Sequence, residues 1–282
     1  MTATAETRAE TLTEPLRTAP PPTNWRTRNL FGATKLRTGH SLFWWVEIGC
    51  VLGFYSLYSF VRNSVDTSAT IARENALDIV RFERWIGIYH EQALNAWAAS
   101  MEWFAIACNY FYGTFHFWVT PAVGVYLFRK QPTEYARWRN TLAITTGLAL
   151  VGFWTYQLMP PRLLPADYEF IDTVANFGTP WNWKSSAVNK FSNPYAAMPS
   201  LHCAWAMWCA IASVPHLKRR ISKAIMMAYP ALTVAVVAFT GNHYFVDAIG
   251  GYVVLFIGWI LAKKFTKSGR TERTPVALRS LA

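Results

Sequence analysis

The sequence predicts an all-α, polytopic membrane protein with about six transmembrane helices and one amphipathic helix in the interface. Three observations carry this. The 282 residues are 52% hydrophobic and 16% aromatic, too apolar for an ordinary soluble domain. Apolar residues gather in runs near the ~20 that a helix needs to cross the hydrocarbon core. Basic residues gather in alternate segments between those runs, the asymmetry that orients membrane proteins.

Residues 1–40 are polar, hold Pro20-Pro21-Pro22 and lack the short apolar core of a cleavable leader, so a disordered cytoplasmic arm is expected. A six-helix membrane catalytic domain is expected over residues 41–265. Its runs are Leu42 to Val61, Trp103 to Phe128, Leu142 to Met159, Pro199 to Val214, Ile221 to Thr240 and Phe245 to Ala262. The fourth is short for a crossing. Between the first two, Leu77, Val80, Phe82, Trp85 and Ile88 alternate with Arg73, Asp78, Arg81, Glu83 and Arg84 at nearly helical spacing. Such a helix fits the membrane interface, or equally a place against the bundle. Residues 266–282 form a basic cytoplasmic tail.

The arm, the Arg129–Arg139 segment, the Lys218–Lys223 segment, and the tail with Lys263 and Lys264 just before it hold 20 of the 27 Lys and Arg residues. Six crossings put all four on one side, which the positive-inside rule makes the cytoplasm. An odd number would mix the charges. The expectation is an integral protein, assigned to the plasma membrane, with both termini cytoplasmic. The net charge of +11 comes from short clusters rather than a continuous face, which argues against nucleic acid as a partner. Cys50, Cys108, Cys203 and Cys209 all fall in apolar runs and read as small buried hydrophobes.

With this topology three stretches meet on the non-cytoplasmic face: Met159-Pro160-Pro161-Arg162, Met198-Pro199-Ser200-Leu201-His202, and Gly241-Asn242-His243 through Asp247. Titratable groups at membrane depth are costly and tend to mark function. Pro199 suits a first helical turn whose open N–H groups attract phosphate, with Ser200 as a hydroxyl donor and Arg162 as a two-pronged cation. His243 and Asp247, four apart, would share a helix face, the carboxylate holding one imidazole nitrogen and leaving the other as nucleophile. His202 would protonate the leaving oxygen and then deprotonate the acceptor. Tyr112 and His116 in the second run are candidate substrate contacts, although His116 reads first as a buried, hydrogen-bonded partner of Tyr112.

Rival chemistries fit less well. A Ser200-His243-Asp247 triad lacks the Gly-x-Ser-x-Gly elbow, zinc on His202, His243 and Asp247 lacks ligand spacing, and haem would need facing histidines deeper in the bundle.

At these residues the sequence resembles the type 2 phosphatidic acid phosphatase superfamily, whose pattern is Lys-x6-Arg-Pro, Pro-Ser-Gly-His and Ser-Arg-x5-His-x3-Asp. The matching pieces are Arg162, Pro199-Ser200-Leu201-His202 and His243-x3-Asp247, within about residues 100 to 262. The resemblance implies that His243 is the nucleophile, that His202 is the acid, and that no metal or other cofactor is required. The chain departs from the pattern at Thr155, Val237 and Leu201, which stand where the family has Lys, Arg and Gly. The Pro160 to Pro165 run with Pro-Ser-Leu-His looks like the inositol phosphorylceramide synthase branch, whose members move a phosphorylated headgroup between lipid and alcohol.

Loss of two cations favours a singly charged diester over a dianionic monoester, unless Lys184 or Lys190 in the outer loop Leu163 to Ala197 replaces one. Trp181, Trp183 and Tyr195 of that loop suit headgroup depth or a lid. The expected activity is phosphotransfer from a membrane lipid phosphate or phosphodiester to an alcohol or polyol through a phosphohistidine. Hydrolysis by water is the first alternative. A non-catalytic lipid-phosphate binder or transporter is the second.

Overall fold

Proline and polar breaks divide the apolar runs into nine α-helices among the described residues. The computed structural model describes residues 33–35, 41–63, 68–177 and 193–266, with backbone alone at 33–35, 41, 42, 62 and 63. Helix α1 is Trp44–Asn63, α2 Ala69–Ile86, α3 Glu91–Ala99, α4 Glu102–Lys130, α5 Pro132–Thr155, α6 Thr173–Phe177, α7 Leu201–Ser213, α8 Arg220–Phe239 and α9 Phe245–Phe265. Helices α1, α8 and α9 are long and apolar enough to cross a membrane. Large apolar side chains such as Phe60, Trp118, Trp154 and Phe265 lie on the outer surface, as a bilayer-embedded protein requires.

The structure corrects several expectations. Ala33–Lys35 pairs antiparallel with Ser41–Phe43, a short pairing beside an otherwise all-helical fold. A ladder of three residue pairs has too few positions to register a period-2 pattern. The third apolar run ends its helix at Thr155. Beyond it Leu158 N donates to Tyr195 O and Met159 N to Ala72 O, and Pro160-Pro161 offers no donors to extend a helix. Helix α7 has 13 residues, ~20 Å at 1.5 Å per residue, short of the ~30 Å hydrocarbon core. Lys184 and Lys190, with Trp181 and Trp183, lie outside the described residues, as does nearly all of the basic tail.

Helix α2 is amphipathic, but its buried stripe is Ala72, Ala76, Ile79, Val80 and Glu83. Phe82 and Trp85, grouped with the apolar side on sequence, point outward. The stripe packs on Leu158, Met159 and Tyr244, directly beneath the turn that leads into α9.

Two packing relationships position the site. Helix α9 lies along α5, and α7 packs among α4, α8 and α9 over a core that includes Leu127, Trp138, Phe153, Trp208 and Leu255. Gly251 lets α9 approach the start of α7: a Cβ there would stand 2.3 Å from Ser200 O. This close passage brings Ser200 N within 2.9 Å of Asp247 O, joining the two helix starts.

Candidate active site

The His243–Asp247 pair is built by a turn. Helix α8 ends at Phe239, and Gly241 follows with φ +63°, the left-handed conformation that closes helix C-termini. Gly241 N donates to Ala238 O and Asn242 N to Val237 O, which reverses the chain. His243 therefore precedes α9 instead of lying on its face, and Asp247, in the first turn of α9, reaches back to it. His243 Nδ1 and Asp247 Oδ2 are 3.2 Å apart, and both side chains are buried. Oδ2 also accepts from Tyr244 N at 3.0 Å, which fixes the carboxylate. With Nδ1–H donated to Asp247, Nε2 is the basic nitrogen, and His243 lines the cavity.

His202 sits in the first turn of α7. Its ring stacks on Tyr112 with centroids 4.2 Å apart, meets His116 edge-on at 4.4 Å, and lies 5.7 Å from the His243 ring. Tyr112 and His116, one turn apart on α4, form walls of the His202 ring, and His116 also keeps its hydrogen bond to the Tyr112 backbone.

Arg162 occupies a single 3-10 turn, Pro161–Leu163, anchored by its own N–H on Gly241 O at 2.8 Å. A Cβ on Gly241 would come within 3.2 Å of Arg162 Cβ, so glycine is needed for this approach as well as for its φ. The guanidinium donates from Nε to Asn242 Oδ1 and from Nη1 to Asp172 Oδ2, each at 2.9 Å. Its charge is held by a carboxylate before any substrate arrives.

His202, His243, Arg162, Tyr112 and His116 line one cavity of about 180 Å³. Its lining also includes the amides of Asn109, Asn193 and Asn242 and the aromatic rings of Tyr55, Tyr58, Phe117 and Trp205. Arg162 is the sole Lys or Arg among the described residues of its lining.

Ser200 is not in the lining. It is fully buried and caps α7, its hydroxyl accepting from Cys203 N at 3.5 Å while its own N–H goes to Asp247 O. The helix begins at Leu201, two residues beyond Pro199, so the open N–H groups belong to Leu201 and His202. Val237 is buried beside Cys203 and Ala248, and Thr155 bonds back to Val151 O; neither lines the cavity.

Sequence reasoning missed Asp172 and Asn242, which orient Arg162, although Asn242 adjoins His243. It also missed Asn95, whose amide spans the Ile171 and Phe239 backbones. Glu83 and Glu91 were missed as well. Both are fully buried, accepting from Val246 N and Phe245 N at 2.8 Å each. For Glu83 a signal existed: it stands three residues after Val80 and four after Ile79, on the apolar stripe.

No curated protein and no solved structure matches the chain. Residues 77–261 match the family model described as the PAP2 superfamily, an interval that contains every cavity-lining residue except Tyr55 and Tyr58. Members of that superfamily are phosphatases or phosphotransferases acting on phosphate esters. The chain belongs to the PAP2 superfamily.

Proposed function

We propose that the protein is a metal-independent lipid phosphotransferase of the inositol phosphorylceramide synthase-like branch, working through a phosphohistidine on His243. The observation that carries this is the buried His243 Nδ1–Asp247 Oδ2 contact at 3.2 Å, with His202 facing the same cavity. His243 Nε2 attacks phosphorus, the phosphorus–oxygen bond to the leaving group breaks, and His202 gives that oxygen its proton. Asp247 balances the charge on the imidazolium. An acceptor alcohol then attacks phosphorus, His202 takes its proton, and the phosphorus–nitrogen bond breaks. Water in place of the alcohol gives the hydrolytic alternative.

The pairing of Arg162 with Asp172 supports a diester donor. A cation already shared with a carboxylate suits a single negative charge better than two. The aromatic share of the lining, Tyr55, Tyr58, Phe117 and Trp205, is suited to the first methylenes of a lipid tail.

In the bilayer, α4 and α5 are ~44 and ~36 Å long at 1.5 Å per residue, enough to add crossings to those of α1, α8 and α9. Helix α7 completes six as a short core helix. Helix α2 lies in the interface, with Trp85 and Phe82 in the lipid. Both termini are cytoplasmic and the site opens on the non-cytoplasmic face of the plasma membrane.

The deciding assay supplies the purified full chain, in chelator, with labelled dioctanoyl phosphatidic acid or dioctanoyl phosphatidylinositol, with and without candidate alcohols. Headgroup exchange supports the transferase, and phosphate released from the monoester alone supports the phosphatase. Absence of turnover contradicts both and leaves a binder. Strict dependence on added zinc contradicts the metal-free mechanism.

A further inference from the structure

The start of α9 is surrounded by more negative charge than a helix end can balance. Three successive N–H groups point at three different carboxylates: Tyr244 N to Asp247, Phe245 N to Glu91 and Val246 N to Glu83. A helix N-terminus supplies about half a positive charge. Glu83 and Glu91 hold adjacent N–H groups of one helix start, where two ionised carboxylates repel each other and a proton on one of them relieves the repulsion.

The donors say where the proton sits. Each Glu91 oxygen accepts one backbone N–H, Oε1 from Phe245 and Oε2 from His90 at 3.0 Å, and keeps a second lone pair. Glu83 accepts Val246 N on Oε1, while its Oε2 is buried with no donor among the described residues. Glu83 Oε2 is therefore the protonated oxygen and Glu91 the acceptor. Burial first, and the adjacent Glu91 second, push Glu83 up to about 9. The other titratable groups facing the pair are Asp247 and Tyr244 at the start of α9 and Tyr89 from the α2–α3 turn, with Arg84 over the Tyr89 ring. Neither carboxyl has an ion pair with a Lys or Arg among the described residues.

We propose that Glu83 and Glu91 are positioning residues for the phosphoryl-accepting histidine: their singly protonated pair clamps Phe245 and Val246, and so keeps Asp247 on His243. This rests on the reading of His243 as nucleophile. Loss of the shared proton puts three anions around one helix end, drives Glu83 from Glu91, and releases the turn that aims His243 Nε2.

The test measures kcat and KM across pH for the full chain in detergent, using whichever of dioctanoyl phosphatidic acid and dioctanoyl phosphatidylinositol the wild type turns over. Glu83→Ala is expected to lower kcat by ~10–100-fold, with KM nearly unchanged. Glu83→Gln, whose amide donates to Glu91 and whose oxygen accepts Val246 N, is expected to restore most of kcat. It should also lack the additional alkaline loss that the wild type shows through about pH 9. Wild-type kcat in Glu83→Ala, or an alkaline limb in Glu83→Gln that superimposes on the wild type, overturns the proposal. If Glu83→Ala does not fold, the Glu83→Gln limb decides. His243→Ala is run beside them. Normal turnover in that variant overturns the nucleophile reading and this inference together, whereas an inactive His243→Ala with an unchanged Glu83→Gln limb overturns this inference alone. A wild type that turns over neither lipid contradicts both.

Discussion

Asp247 Oδ2 lies 3.2 Å from His243 Nδ1 across the boundary between a turn and the helix that the turn begins. The same oxygen receives Tyr244 N, so the carboxylate that orients the imidazole also caps the helix. The geometry of the proposed catalytic pair and the start of the helix are thereby one local structure.

Asp247→Asn removes the charge and leaves the shape. An Asn oxygen in the place of Oδ2 can still accept both Tyr244 N and His243 Nδ1–H, but it no longer balances the imidazolium that forms as His243 attacks phosphorus. The expected result is a folded protein with kcat lowered ~10²–10⁴-fold and KM little changed. A kcat within a few-fold of wild type would contradict the charge-balancing role.

Asp172→Asn frees the charge of Arg162. A monoester carries nearly one more negative charge than a diester near neutral pH, so it gains more. The ratio of kcat/KM for dioctanoyl phosphatidic acid to that for dioctanoyl phosphatidylinositol is expected to rise ~3–10-fold, on the order of 1 kcal/mol of charge interaction in a partly solvated site. An unchanged ratio would show that Asp172 does not set donor charge.

How much of this was legible follows from the kind of signal each residue leaves. His202, His243, Asp247 and Arg162 stood out because titratable groups among apolar runs have no bland place to go. Ser200 was read as a ligand donor because Pro-Ser at a helix start fits both a cap and a phosphate site; only the approach of α9 at Gly251 selects the cap. Asp172 lies in a polar segment where one more carboxylate has no contrast. Glu83 was counted with the polar side of α2 although its spacing put it on the buried stripe, and Glu91 begins a helix too short to show a pattern. The end of α5 at Thr155 goes with the isolated bridge of Leu158 to Ala196, 38 residues away, which no local pattern carries.

Gly251→Ala tests the packing that joins the two helix starts. Its new methyl would meet Ser200 O at 2.3 Å, and neither backbone can move without shifting Asp247 or His202. The expected cost is ~1–3 kcal/mol, read as a lower melting temperature in detergent, together with reduced kcat. A variant with wild-type melting and turnover would contradict the close passage of α7 and α9.

Glu83 gives a stability prediction with a definite sign. Its ordinary value of 4.5 rises to about 9 in the folded chain, so between those values the folded state holds the extra proton. Its contribution is full below about 4.5 and declines as pH rises toward about 9. Glu83→Gln has no such proton to lose, and its melting temperature is expected to fall less than that of the wild type over this range. Parallel curves would contradict the raised value.

The central claim is covalent. Full-length protein is mixed with donor labelled at phosphorus, quenched in alkali, which preserves phosphohistidine, and digested to locate the label. Label on His243 in the wild type, absent in His243→Ala, is the predicted result. Turnover by His243→Ala at the wild-type rate, or label carried on another residue, would contradict it.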